Sequence, residues 1–168
     1  MLTPLVFGKH RFCKSLLSQV KLSEKGLANV RREQVAQAHT FLHPRGWKTA
    51  KGFSNGVVAE GRTIFLAGQI GWNAEQQFES GDFVAQARQA LANIVTLVAE
   101  AGGRAEHITR LTWFVLDKQD YLSHLRELGE TYRSVMGKHF PAMTLVQVGA
   151  LVEDEAKVEI EATAVVPI

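Results

Sequence analysis

The 168-residue sequence predicts a single α+β domain in which two helices cover one face of a mostly β layer. Two periodicities and their order carry this expectation. Val158, Ile160, Ala162 and Ala164 alternate with Lys157, Glu159, Glu161 and Thr163, the period-2 pattern of a half-buried strand. Ala87, Leu91, Ile94 and Val98 recur at the spacing of one helical face, as do Tyr121, Leu125, Leu128, Tyr132 and Val135. The order reads hairpin, helix, strand, helix, two strands, with no internal repeat.

Each element has local support. Phe53-Ser54-Asn55-Gly56 is a turn signal before Val57-Val58-Ala59, and Glu60-Gly61-Arg62 separates that run from an apolar stretch at 63–67. Two β-rich runs around a short glycine turn read as a hairpin. Residues 73–81 are polar and loop-like, and Asp82 is placed to cap the first helix, which Gly102-Gly103 should stop. Residues 108–116 read as a strand with Ile108, Arg110, Thr112 and Phe114 on one face and Leu111, Trp113 and Val115 on the other. A continuous second helix is expected over 120–136, Pro141 bars its extension, and 143–148 reads as a further strand.

Composition narrows the functional classes. At 46% hydrophobic and 21% charged, the chain can bury a real core, and it has no run of about 18 apolar residues that would span a membrane. One cysteine, Cys13, excludes an internal disulfide and a multi-thiolate zinc site. The net charge of +2 is uneven: residues 1–42 hold seven Lys/Arg and two acids, whereas 43–168 hold twelve Lys/Arg and fifteen acids. A mildly acidic body lacking a basic stripe argues against nucleic acid as its partner. The basic segment 1–42 is read as an extension of the domain at 43–168. It is an organellar presequence, a disordered arm, or a stretch bypassed by initiation near Val35. The expected location is the cytoplasm, or the mitochondrial matrix if a presequence is present.

Phosphate-loop, nucleophile-elbow, zinc-protease and dinucleotide motifs are absent. His39 and His43 have helical metal-ligand spacing, but Pro44 follows and no acidic residue lies between Glu33 and Glu60, so they read as an irregular lead-in and no metal is expected. Two segments could hold chemistry. In Phe65-Leu66-Ala67-Gly68-Gln69-Ile70-Gly71 a strand runs into glycine and an uncharged amide: a strand-ending turn, or a place where a ligand or another chain approaches the backbone. Glu159 and Glu161 share one face of the last strand, as an ordinary solvated edge or with one carboxylate partly buried and able to orient water.

In order and spacing, GFSNGV (52–57), FLAGQIG (65–71), QARQALANI (86–94), ITRLTWFVLD (108–117), HFPAMT (139–144) and VEIEATAV (158–165) resemble the Rid family of reactive-intermediate deaminases, also called the YjgF family. The resemblance covers residues 47–166. It implies a chorismate-mutase-like (YjgF-like) fold with a mixed sheet and two helices on one face. It further implies a homotrimer with small-molecule clefts between subunits, and imine hydrolysis to a 2-oxo acid and ammonia without a cofactor.

The departures from the family pattern are as informative. The arginine that grips the substrate carboxylate falls at Met143, the serine before the glycine–glutamine pair at Ala67, the tyrosine near the first strand at Phe53, and the cysteine two places after the arginine at Leu145. An asparagine of the second helix falls near Gly129. The resemblance retains Glu159 as the water-positioning base, with Phe53, Ala67, Gly68, Gln69, Met143 and Leu145 around the ligand. Each substitution removes a polar group, so the cleft should be more apolar than the family norm and suited to an imine lacking the usual 2-carboxylate. The alternative is a trimer that binds or senses a small metabolite without turnover. Arg133 and Lys138 are nearby cations, but no sequence feature places either in the cleft.

Overall fold

The computed structural model describes residues 39–168. The three readings of the basic segment, together with Cys13 and Val35, lie outside the described residues. Strand β1 (His39–Leu42) pairs antiparallel with β2 (Gly56–Ala59). A four-stranded sheet has the order β3 (Arg62–Gln69), β6 (Val158–Val166), β4 (Ile108–Val115), β5 (Ala142–Gln147). β6 is antiparallel to both neighbours, and β4 and β5 are parallel, so the sheet is mixed. The helices are α1 (Phe83–Glu100), α2 (Lys118–Ser123) and α3 (Leu125–Met136), with a 3-10 turn at Ala105–His107.

α1 forms where its caps and apolar stripe require. Asp82 accepts the Ala85 N–H at 2.8 Å, and Ala87, Leu91, Ile94 and Val98 are fully buried against the sheet and α3. At its end Gly103 N–H donates to Val98 O (2.9 Å) and Gly102 N–H to Ala99 O (2.8 Å), a Schellman closure with Gly102 at φ +77°. β6 completes the core through Val158, Ile160, Ala162 and Ala164. The sequence-predicted stripe and alternation are therefore both realised.

Four expectations need correction. Residues 39–42 are a strand of this unit, so the domain begins before His43 and His39 is no irregular lead-in. His39 is buried, with Nε2 3.2 Å from His107 O. The hairpin between the first two apolar runs does not form: β2 pairs with β1, and β3 pairs with β6 from Arg62 opposite Val166 onward. Gly61, at φ +145°, lies so close to the Val166 carbonyl that the chain passes directly into the β6 ladder. Arg62 then donates to Ala101 O.

The third correction concerns Ile108. A bulge between Ile108 and Arg110 in the β4–β6 register inserts one extra residue, so Ile108 joins Leu111, Trp113 and Val115 in the core rather than Arg110 on the other face. Fourth, the helix expected over 120–136 is broken at His124 (φ −106°, ψ 15°). The Ser123 hydroxyl (3.0 Å) and the His124 ring (2.8 Å) both engage Asp120 O, the carbonyl that would accept the His124 N–H in a continuous helix. Leu128, Tyr132 and Met136 remain buried, whereas Leu125 is half exposed.

Candidate functional site

A cavity of about 270 Å³ opens between the β5 edge, α2 and α3, and the loop ahead of β2. Its β5 wall is Met143 and Leu145, which pair with Leu111 and Trp113 and so point to the helix side of the sheet. Phe53 reaches the mouth because Ser54 is fixed to the start of β5. Its hydroxyl donates to Phe140 O (2.6 Å), its N–H donates to Pro141 O (3.0 Å), and it bridges Ala142. The GFSNG turn thus holds one wall of the pocket. Tyr132 and Phe140 stack at 5.4 Å between centroids, and the Tyr132 hydroxyl donates to His139 O at 2.9 Å. Burial pushes the Tyr132 hydroxyl far above the usual tyrosine range, so it stays a neutral donor.

Two cations line this otherwise apolar cavity, Lys51 and Arg133, and neither forms an ion pair among the described residues. Arg133 lies one helical turn beyond Gly129, and its Nη1 would stand 3.4 Å from a side-chain carbon at Gly129. Lys138 does not line the cavity. Arg133 was visible in the sequence only as a nearby charge. The signal that places it is its i+4 relation to a glycine on the same helix, which leaves the guanidinium room against the helix surface. Trp113, 2% exposed, also lines the cavity, and its indole Nε1–H has no acceptor among the described residues.

The second group of predicted site residues is elsewhere. Glu159 pairs with Phe114, while its neighbour Ile160 pairs with Trp113, so Glu159 projects from the face opposite the helices. There its carboxylate lies over Gly68: a Cβ at that glycine would sit 2.6 Å from Glu159 Cδ and 2.8 Å from Cγ. The approach is made at a register shift between Leu66 and Gln69. The Gln69 amide curls back to donate to Ala67 O and Gly68 O, each at 3.2 Å, and Ala67 is exposed beside it. The structure therefore joins Phe53, Met143 and Leu145 in one cavity and Ala67, Gly68, Gln69 and Glu159 at another place. Within one chain β4 and the thickness of the sheet separate the two groups.

Among the described residues no cluster of three or more His, Cys, Asp or Glu is arranged to hold a metal, and no helix is long and apolar enough to cross a membrane. His107 and His139, whose rings lie against His39 and Phe41 of β1, have ring pKa values lowered chiefly by burial.

A mixed four-stranded sheet in the order β3-β6-β4-β5, with its helices on one face, defines the YjgF-like class of α+β domains. Residues 45–166 match the sequence profile of the family described as "Endoribonuclease L-PSP", and the chain belongs to that family, the Rid/YjgF family. It is 37% identical over 108 residues to the 2-iminobutanoate/2-iminopropanoate deaminase of Escherichia coli (62% of this chain, 80% of the relative). It is 32% identical over 114 residues to the human protein of the same description (67% and 79%). Among solved structures, a Rid-family protein of unknown function from Yersinia pestis superposes with a TM-score of 0.69 at 29% identity, covering 77% of this chain and all of that one. The Escherichia coli YjgF gene product superposes at 0.54 with 36% identity, covering 67% and 87%.

Proposed function

We propose that the chain is a cofactor-free hydrolase of C=N bonds whose substrate lacks a carboxylate bonded to the imine carbon. The observation that carries this reading is the β5 wall: Met143 and Leu145 present a thioether and an isobutyl group to the cavity, and neither can offset the desolvation of an adjacent carboxylate. The Glu159 carboxylate is the proposed base. It orients a water and accepts its proton as the oxygen adds to the protonated imine carbon. The carboxylic acid then returns that proton to the carbinolamine nitrogen, and as the C–N bond breaks the carboxylate takes the hydroxyl proton, so that ammonia leaves and a carbonyl compound remains.

Because the cavity and Glu159 lie on opposite faces of the sheet, the proposed active form is a homotrimer in which Glu159 of one copy meets the cavity of the next. The sheet face that carries Glu159 also bears Phe65, 83% exposed, and Val146, 41% exposed, an apolar surface suited to burial between copies. No nucleic acid and no membrane enter this reading, and the location remains the cytoplasm, or the mitochondrial matrix if the basic segment is a presequence.

A second reading, metabolite binding without turnover, is favoured by one observation: the cavity is formed without Glu159, and the Gln69 amide is engaged with its own strand. Turnover assays separate the two. The wild type should hydrolyse the imine of a simple methyl ketone faster than 2-iminopropanoate, both generated in situ. Glu159→Gln should lower the rate about 10²-fold or more while sparing ligand affinity. Absence of turnover on every imine supports the binding reading. Hydrolysis of 2-iminopropanoate as fast as by an arginine-bearing relative removes the substrate claim.

A further inference from the structure

We infer that Arg133, assisted by Lys51, gives the cavity a relocated anion-binding end, so that its ligand carries a carboxylate displaced by two or more carbons from the carbonyl or imine carbon. The inference deepens the reading above, on which it rests for the position of the reacting carbon, and concerns a different part of the ligand. Four observations support it. Arg133 and Lys51 both line the cavity, and neither has an ion-pair partner among the described residues. Gly129 contributes no side chain, and the Arg133 guanidinium lies beside that glycine. The β5 wall is apolar at Met143 and Leu145, so the cations and the apolar surface occupy different walls. No aspartate or glutamate lines the cavity, so none of its lining residues neutralises the two cations.

A guanidinium at the edge of an apolar cavity suits a carboxylate through two parallel N–H···O bonds. An anion placed there spans from α3 toward β5, with its uncharged end against Met143. The chemistry this selects is a short keto acid, or its imine, with the carboxylate at the far end. A 2-oxo acid would press its charge against the thioether instead.

Three product-like probes test this on the intact chain: 4-oxopentanoate, 2-oxobutanoate and 2-pentanone, titrated by NMR. The wild type should bind 4-oxopentanoate at least about tenfold more tightly than either of the others. Arg133→Gln should erase that preference, and Arg133→Lys should keep part of it. Arg133 is exposed, so neither change threatens folding. Equal affinity of wild type and Arg133→Gln for 4-oxopentanoate overturns the inference, as does equal affinity of the wild type for 4-oxopentanoate and 2-pentanone. Assays of the 4-oxopentanoate imine separate its fate from that of the enzymatic reading. Binding through Arg133 without turnover sinks only the hydrolase, whereas turnover with an unchanged KM in Arg133→Gln sinks only the inference.

Discussion

The Glu159 carboxylate lies directly against the α-carbon of Gly68, with Cδ 2.6 Å from where a side chain would begin. Two strands that pair across a bulge thereby share one place, and the glycine is required there by space, since its φ is not in the left-handed region. Gly68→Ala should displace the glutamate, lower imine turnover by at least an order of magnitude, and destabilise the fold by about 1–3 kcal/mol. In a Glu159→Ala background the same change should cost markedly less. A double-mutant cycle in urea measures the coupling.

Ser54 holds the Phe53 wall of the cavity to β5 through its 2.6 Å bond to Phe140 O. Ser54→Ala should cost about 1 kcal/mol of stability and loosen the loop. Amide exchange should rise at 52–55 with little change in β3 or β6. Unchanged protection would mean that the backbone bond to Pro141 O suffices alone.

The β4 bulge predicts opposite fates for two residues that alternation puts on one face. Ile108→Ala should cost about 2–5 kcal/mol because Ile108 is fully buried, whereas Arg110→Ala should stay within about 0.5 kcal/mol. Chemical denaturation of both variants checks the pair.

His107 and His139 resist protonation because folding buries them. A histidine lowered on folding takes up its proton more readily in the unfolded chain, so its stabilising effect is complete above the unfolded value of about 6.5 and is lost as pH falls below it. The urea midpoint should therefore drop between about pH 7 and pH 5, and His139→Gln should flatten that slope. His124, raised by its bond to Asp120 O, acts in the opposite sense but is solvent-exposed and screened.

Met143→Arg places a cation on the β5 wall of the cavity. It should raise kcat/KM for 2-iminopropanoate by about tenfold or more, since a charge-assisted bond to the carboxylate then becomes available. No gain would show that the position on β5 does not reach the reacting ligand.

How much was legible in the sequence depended on the range of the interactions. Periodicity placed α1 and β6 because burial on a single face is written into 87–98 and 158–164. The Asp82 cap and the glycine stop are likewise bonds within one helix. The hairpin failed because the partners of β2 and β3, β1 and β6, are chosen by contacts distant in the chain. Ile108 was misassigned because a bulge changes strand parity without a compositional mark, and the helix break at His124 depends on side chains competing for one carbonyl.

By itself the sequence determined the α+β class and the family motifs, which are properties of residue type and spacing. Only the tertiary structure decided which of the site residues meet. It gathered Phe53, Met143 and Leu145 around a cavity, set Glu159 over Gly68 on the other face of the sheet, and brought Arg133 to the cavity wall. The physical reason is that strand pairing sets which face a side chain occupies, and a charge on a helix turns inward or outward according to what that helix packs against.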